Sequence, residues 1–129
     1  MIGYVTLGTN DIAKARLFYD ALLGSIGAKR IMEFGDFTMW GTSFDKPGIA
    51  LTPPYDKAAA TVGNGNMVAI TLDSRTKVDA LHALALAEGG TCEGPPGLRG
   101  DEGPQAFYGA YFRDPEGNKL CAFAMGPAA

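Results

Sequence analysis

Hydrophobic and polar residues alternate in the opening stretch "YVTLGT" and then follow a helical spacing. The alternation, with its β-branched residues, predicts a first strand, and "IAKARLFYDALLGSIG" predicts a helix with one apolar stripe. Asn10 is the expected N-cap of this helix, and Gly24 or Gly27 its expected end. Apolar runs on both sides of Gly35 and Asp36 predict a tight hairpin, and "GIALT" predicts one more strand. The first half is therefore expected to read strand, helix, then strands.

The same order returns after "YDKAAATVGNGN", a small-residue stretch that is expected to form a surface loop. "MVAITLD" predicts a strand, and Ser74 is the expected cap of the helix "RTKVDALHALALAEGG", which Gly89 and Gly90 stop. "TCEG" is expected to be short and extended, "PPGLRGDEGPQ" to be a loop, and the segments "AFYGAYFRD" and "NKLCAFAM" to form a closing hairpin. An offset of 63 (67 minus 4) relates Tyr4 to Met67, and the same offset relates the two helices. The chain therefore predicts an internal repeat.

The turn "DPEG" sets the register of the closing hairpin. Asp at its first position, Pro at its second and Gly at its fourth suit a type I turn, which pairs Asp114 with Asn118 and Tyr111 with Cys121. Side chains alternate along a strand, so one face of the hairpin belongs under the helix. That helix-side face holds Ala110, Phe112, Leu120 and Ala122.

The same alternation sorts the first strand of each half. Val5 and Leu7 are expected to face the first helix, as Val68, Ile70 and Leu72 face the second. If the two half-sheets curl toward each other, the opposite faces line a concave cleft, which is the usual place for a small ligand. That cleft is expected to hold Tyr4, Thr6, Met67, Thr71, Tyr111, Cys121 and Phe123.

Composition narrows the class of protein. The 129 residues suit one domain, and 47% hydrophobic and 19% charged residues are typical of a folded chain. A net charge of −3 with scattered basic residues argues against a nucleic-acid or anionic-membrane partner. No apolar run is long enough for a bilayer, and no signal peptide is recognisable. Cys92 and Cys121 are too few for a disulfide framework, so a cytoplasmic protein is expected.

Two stretches resemble one known family. "GYVTLGTNDIAKARLFYDALLG" and "YFRDPEGNKLCAF" are similar to the opening and the closing hairpin of the glyoxalase, bleomycin-resistance and extradiol-dioxygenase (vicinal oxygen chelate) superfamily. The resemblance covers essentially the whole chain. It implies an α+β fold, in which two βαβββ modules form a cupped mixed sheet with helices outside, and a homodimer. One domain is expected over 1–129, with modules at about 1–53 and 66–126 and a linker at 54–65.

The resemblance also shows where the chain departs from the family. The family's metal ligands, typically His, His and Glu, fall on Tyr4, Met67 and Cys121, and "GIALT" has no acidic residue for a fourth ligand. Phenol, thioether and thiol are a poor set for a hard or borderline divalent ion. The only histidine, His82, lies in the predicted second helix and has no partner ligands nearby in the sequence. No metal and no other cofactor is therefore expected.

Three functions remain open from the sequence. The first is a metal-free small-molecule binding protein of the bleomycin-resistance kind. The second is a lyase, isomerase, hydrolase or dioxygenase-like enzyme that is metal-free or uses non-standard ligands, and the third is an interaction protein that keeps only the fold. Cys121 is either a nucleophile activated by Lys119 or Arg113 or an inert lining thiol. Arg99 either clamps an anionic ligand or is solvated, and Trp40 is expected to share a face with Ile31 beside the cleft or a dimer interface. The binding protein is preferred, with no catalytic residue assigned. Its predicted ligand-binding residues are Tyr4, Thr6, Trp40, Met67, Thr71, Arg99, Tyr111, Cys121 and Phe123.

Overall fold

Backbone hydrogen bonds sort the strands into two four-stranded mixed sheets, one in each half of the chain. The computed structural model describes residues 1–128. The chain divides into two units, Met1–Asn64 and Gly65–Ala129, which we describe one at a time as the first and second modules. Each module has the order βαβββ, so the predicted α+β fold and the predicted repeat are confirmed.

The first module places its parallel strand pair at one side of the sheet. The strand order is β1-β4-β3-β2, in which β1 and β4 are parallel and the other neighbours are antiparallel. The predicted pairing of Phe34 with Phe37 across the tight turn is confirmed. The elements are β1 (Tyr4–Gly8), α1 (Ile12–Gly24), β2 (Lys29–Phe34), β3 (Phe37–Gly41) and β4 (Gly48–Thr52).

The second module repeats this arrangement with the order β5-β8-β7-β6, and again the first and last strands of the module are parallel neighbours. The predicted hairpin register is confirmed, since Tyr111 lies opposite Cys121 and Phe112 opposite Leu120. Ala110, Phe112, Leu120 and Ala122 are fully buried, and α2 packs against β6, β7 and β8. The elements are β5 (Val68–Thr71), α2 (Arg75–Ala87), β6 (Thr91–Leu98), β7 (Phe107–Arg113) and β8 (Lys119–Met125).

The start of α1 differs from the sequence prediction. Its N-cap is Asp11, whose Oδ1 accepts the Lys14 N–H at 3.1 Å, whereas Ser74 caps α2 as predicted. Asn10 is engaged elsewhere, because its Oδ1 accepts the Ala60 N–H at 2.7 Å. The Asn10 side chain therefore holds the segment that follows β4 and leaves the helix cap to its neighbour.

A glycine with positive φ follows each helix, Gly27 at +87° after α1 and Gly89 at +105° after α2. In each case the next residue donates its N–H to the carbonyl five residues back, at 3.0 and 2.8 Å. This hydrogen bond is the mark of a Schellman-type helix end. The glycine that corresponds to Gly27 is therefore Gly89. The offset of 63 predicts Gly90 instead, and this prediction is wrong by one position.

The strand β6 is longer than the sequence indicates. It continues through "PPGL", which was expected to begin a loop, and pairs with β7 through two register shifts. Prolines suit such a strand because β6 is the last strand in the sheet order, where an N–H is not needed on the outer side. Within residues 1–128, neither helix is long and apolar enough to cross a membrane.

Candidate functional site

Each sheet has a helix side and a face turned away from its helix, which we call the open face. In the first module, the register puts Val5 on the same side as Trp40, whose Nε1 donates to Asp20 of α1 at 2.9 Å. The prediction that Val5 faces the helix is therefore confirmed. In the second module, Phe112 meets His82 of α2, so Tyr111 and Cys121 point to the open face as predicted.

The open face of the first module is built from uncharged side chains around Tyr4 and Thr6. Tyr4 and Thr6 are exposed there, and the Tyr4 ring meets Phe37 edge to face at 6.0 Å. The row of in-register partners across the four strands consists of Thr6, Ala50, Met39 and Met32. Around Tyr4 and Thr6 this surface offers apolar contact and a phenol. The register places one cation, Lys29, on the same side of the sheet, opposite Gly41 on the outer strand β2.

Trp40 lies on the other side of that sheet. Its side chain is 1% exposed and packs on Tyr19 of α1, with ring centroids 5.6 Å apart. The expectation that it shares a face with Ile31 beside a cleft is wrong, because a β-bulge at Ile31 makes Arg30 the partner of Trp40. Trp40 is therefore a core residue of the first module, and we leave it out of the proposed binding surface.

The open face of the second module carries small residues on which longer side chains lie. Gly94 is the partner of Tyr111, and Gly109 that of Phe123. A Cβ at Gly109 would come within 2.6 Å of the Phe107 ring, which stacks on Phe123 at 5.2 Å with an interplanar angle of 8°. The glycines thus make room for a flat aromatic pair on the sheet.

Two cations lie over one ring on this face. The Arg99 guanidinium carbon is 5.3 Å from the centroid of Tyr111, and Lys119 Nζ is 5.4 Å from it. Arg99 is held by its own strand, since it donates to the carbonyls of Pro95 at 2.7 Å and Gly97 at 3.0 Å. Among residues 1–128, neither Arg99 nor Lys119 forms an ion pair. We call Arg99, Tyr111, Lys119 and Cys121 the Tyr111 cluster.

Cys121 is the buried member of this cluster, with no exposed surface. Burial raises the pKa of its thiol, and the Tyr111 side chain and the charges of Arg99 and Lys119 only partly oppose this. A protonated thiol is a poor nucleophile. The cluster is therefore suited to holding a ligand and poorly suited to attack by Cys121.

The structure brings together only some of the predicted ligand-binding residues. Arg99, Tyr111 and Cys121 meet in the cluster, and Phe123 lies beside it on the open face of the second module. Thr71 is exposed at the end of β5, and Met67 is 44% exposed just before that strand. Tyr4 and Thr6 belong to the open face of the first module, which we describe separately.

The family's metal positions do not fit a divalent ion in this chain. The donors at those positions are the Tyr4 phenol, the Met67 thioether and the Cys121 thiol, which burial keeps protonated. Within residues 1–128, no three His, Cys, Asp or Glu side chains are grouped to hold a metal ion. Neither donor type nor grouping favours a metal site here.

The sequence reasoning missed a contact on the helix side of the second module. His82 Nε2 lies 3.3 Å from Cys92 Sγ, a contact that the sequence analysis does not predict. The signal was present in the hairpin register, because Cys92 is the partner of Phe112, which the alternation already placed under α2. Extending that alternation by one strand would have predicted the pair.

Comparison with known proteins gives the family. Residues 1–122 match the model of the Glyoxalase/Bleomycin resistance protein/Dioxygenase superfamily. The chain therefore belongs to this superfamily, as its opening stretch and closing hairpin suggest.

Solved structures agree with this assignment. A glyoxalase/bleomycin resistance protein from Albidiferax ferrireducens T118 is 37% identical, with a TM-score of 0.84 over 96% of this chain and 98% of that one. A glyoxalase/bleomycin resistance protein/dioxygenase family enzyme from Burkholderia phytofirmans PsJN is 24% identical, with a TM-score of 0.73 over 95% and 96% of the two chains. Lactoylglutathione lyase from Agrobacterium tumefaciens shares the fold at 18% identity, with a TM-score of 0.67 over 96% and 92%. No curated protein matches the chain.

Proposed function

We propose that this superfamily member binds a small anionic molecule with a flat apolar part on the open face of its second module, without a metal ion. One observation carries the proposal. Arg99 and Lys119 lie over the same tyrosine ring, and neither forms an ion pair among residues 1–128. Two such cations on a partly buried face are suited to a carboxylate or phosphate group.

The neighbouring surface supports the flat part of the ligand. The stacked rings of Phe107 and Phe123 lie on the same face as Tyr111 and provide apolar contact area. Aromatic rings bind other flat groups by stacking and by edge contacts. The neutral thiol of Cys121 adds no charge that would repel an anion. A ligand that is both anionic and flat is an aromatic or conjugated acid.

The nearby carboxylates leave the two cations available. Glu93 pairs with Arg113 at 2.7 Å, and Glu102 pairs with Arg75. Arg99, which the sequence placed beside Asp101 and Glu102, is instead held over the sheet by backbone carbonyls. A ligand anion would therefore meet Arg99 and Lys119 without first displacing an ion pair.

The binding experiment uses a panel of aromatic acids, with benzoate and phenyl phosphate as first probes and benzyl alcohol as the neutral match. We expect the anions to raise the thermal unfolding midpoint and the alcohol to leave it unchanged, because a ligand that binds only the native state stabilises it. Arg99→Gln and Lys119→Met should each weaken the affinity about tenfold, the usual scale of a hydrogen bond to a charged group. Calorimetric titration gives the affinities.

Lys14→Met is the matched control, since Lys14 is an exposed lysine of α1 in the first module. It should leave both the midpoint shift and the affinity unchanged. The proposal is wrong if no aromatic or aliphatic anion raises the midpoint, or if Lys14→Met weakens binding as much as Arg99→Gln. Metal analysis of the purified protein tests the metal-free part of the proposal. Stoichiometric Zn, Mn, Fe or Ni that is lost on changing Tyr4, Met67 or Cys121 would contradict metal-free binding.

The homodimer and the cytoplasmic location predicted from the sequence belong to the same proposal. The resemblance supports the dimer, and the free state of Cys92 and Cys121 is what a reducing compartment maintains. Light scattering of the purified protein should give twice the mass of one chain. A mass equal to one chain at all concentrations would remove the dimer from the proposal and leave ligand binding to be judged by the titrations.

A further inference from the structure

The second thiol of the chain lies on the opposite side of the second module from the Tyr111 cluster. His82 Nε2 is 3.3 Å from Cys92 Sγ, and the two residues come from α2 and β6. We propose that Cys92 is a reversible thiol–disulfide exchange site for low-molecular-weight disulfides, with His82 as the acceptor of its proton.

The pair combines an exposed cysteine residue with a fixed base. Cys92 is exposed, whereas His82 is only 6% exposed and its ring meets the edge of Phe112 at 6.4 Å. The packing against Phe112 holds the imidazole in place, and the register also sets Cys92 opposite Phe112. A disulfide from solution can therefore approach the sulfur while the base stays at hydrogen-bond distance.

The charge state of His82 suits this role. Burial lowers the pKa of its imidazole, and the opposing effect of the Asp79 carboxylate is smaller, so the ring is neutral at neutral pH. Asp79 in turn accepts the Tyr108 hydroxyl of β7 at 2.6 Å. With the ring proton on Nδ1, the lone pair of Nε2 is free to accept the thiol proton of Cys92.

The charged groups beside Cys92 are already paired. Glu93 follows it on β6 and accepts from Arg113 of β7 at 2.7 Å, and this pairing lowers the pKa of the Glu93 carboxyl. The charge of Arg113 is thus largely offset by Glu93. The neutral imidazole of His82 is the group within reach of Sγ that can take a proton.

The exchange step balances without any further reagent. Sγ of Cys92 gives its proton to His82 Nε2 and attacks one sulfur of a disulfide R–S–S–R, forming a new S–S bond. The second sulfur leaves with the electron pair of the broken bond and takes the proton back from Nε2, which releases R–SH. A second thiol reverses the sequence by the same route.

Cys121 provides an internal comparison, because burial raises its pKa and it has no exposed surface. The test follows release of thionitrobenzoate from its chromogenic disulfide by the native full-length protein, between about pH 5 and pH 9. We expect one fast thiol equivalent, which disappears in Cys92→Ser and remains in Cys121→Ser.

His82→Asn tests the base. Near pH 7 it should slow the fast equivalent by about tenfold or more, and its rate should follow the thiolate fraction of an ordinary cysteine. The wild-type rate should depend less on pH above the pKa of His82. Equal rates in wild type and His82→Asn throughout the pH series would overturn the proposal.

A measurement on the wild-type protein covers the case in which His82→Asn does not fold. The reaction rate of Cys92 in the native protein is compared with its rate in the urea-unfolded Cys121→Ser protein at the same pH. The effect of urea on the reactivity of the reagent itself is measured separately and corrected for. We expect the native rate to be higher near pH 7. A native rate equal to or below the unfolded one would show that the fold does not activate this thiol, and the proposal would be wrong.

Discussion

The two modules place their helices in the same way and use the buried positions differently. The helices begin at Ile12 and Arg75 and end at Gly24 and Ala87, so that both ends are 63 positions apart. Four buried positions coincide, and Tyr19 corresponds to His82, whereas Leu23 is buried and its counterpart Leu86 is exposed. Tyr19 packs on Trp40, but His82 reaches Cys92. The repeat therefore preserves most of the buried helix positions, while the side chains at those positions differ in chemistry.

The open faces of the two sheets also differ in the chemistry of their side chains. The first module presents Tyr4 and Thr6 among uncharged neighbours, while the second presents Tyr111 under two cations. Burial patterns arise from the spacing of strands and helices, which the modules share. The charge and hydrogen-bonding character of a face depends on single side chains, in which they differ.

The largest expected effect comes from the helix ends, where the modules look most alike. A Cβ at Gly90 would lie 2.5 Å from the Arg113 carbonyl oxygen and 2.8 Å from that of Ala85, both backbone atoms. Gly90→Ala should lower the free energy of unfolding by about 2 kcal/mol, as overpacking does. Urea unfolding measures the change.

Gly24→Ala in the first module is the matched control, since nothing lies within 4 Å of a Cβ there and Gly24 is helical. It should be neutral or stabilise by up to about 1 kcal/mol. Equal stability of Gly90→Ala and the wild type would show that the end of α2 is no more crowded than that of α1.

A smaller difference between the two modules is expected in how their ion pairs contribute to stability at acid pH. The pKa of Asp20 is lowered chiefly by the hydrogen bond from Arg30, with a further contribution from Trp40. A carboxyl whose folded pKa is lowered stabilises the protein above its unfolded pKa, near pH 4, and this stabilisation is lost as the pH falls through the folded value. Asp20→Asn should therefore flatten the fall of the urea midpoint below about pH 4.

The second module supplies the comparison for this experiment. The pKa of Glu102 is lowered chiefly by its hydrogen bond with Arg75, but its carboxylate is at the surface and lacks an indole donor. Glu102→Gln should change the acid slope less than Asp20→Asn, because the Trp40 indole donates a further hydrogen bond to the Asp20 carboxylate. A larger effect of Glu102→Gln would reverse the ranking of the two ion pairs.

The smallest expected effect concerns the Tyr111 cluster. A Cβ at Gly94 would lie 3.1 Å from both Arg99 Nη2 and Tyr111 Cδ2, which are side-chain atoms that can shift slightly. Gly94→Ala should weaken the affinity for aromatic acids on the order of threefold, because the cation–π contact is displaced and not removed. Titration with benzoate measures this change.

Gly97→Ala is the control on the same strand, since its nearest contact, with Arg99 Nη1, is an ordinary one at 3.4 Å. It should leave the affinity as in the wild type. If Gly97→Ala weakens binding more than Gly94→Ala, the position of Arg99 over Tyr111 does not depend on the absence of a Cβ at Gly94.

The sequence was most informative where a turn fixes a register. "DPEG" determined every pair of the closing hairpin, so the side on which Tyr111 and Cys121 lie followed from alternation. Trp40 was misplaced because an unpaired residue at Ile31 shifts the register, and nothing in the apolar pattern marks a bulge. One extra residue is enough to change the partner of every position beyond it.

The candidate site was harder to predict than the fold. Arg99 reaches Tyr111 only because its strand continues past two prolines and bonds its guanidinium to nearby carbonyls. Such a conformation depends on local geometry that alternation does not describe. The metal positions, in contrast, could be judged from residue type alone, since donor chemistry does not depend on the exact distance.

The prolines of β6 have a consequence for self-association. A strand at the end of a sheet presents unpaired N–H and C=O groups to which another chain can add. Pro95 and Pro96 have no backbone N–H, so β6 offers fewer donors along this edge, and the register shifts against β7 interrupt its regular pairing. Intermolecular strand addition, the first step of many aggregation processes, is therefore disfavoured along this edge of the second sheet.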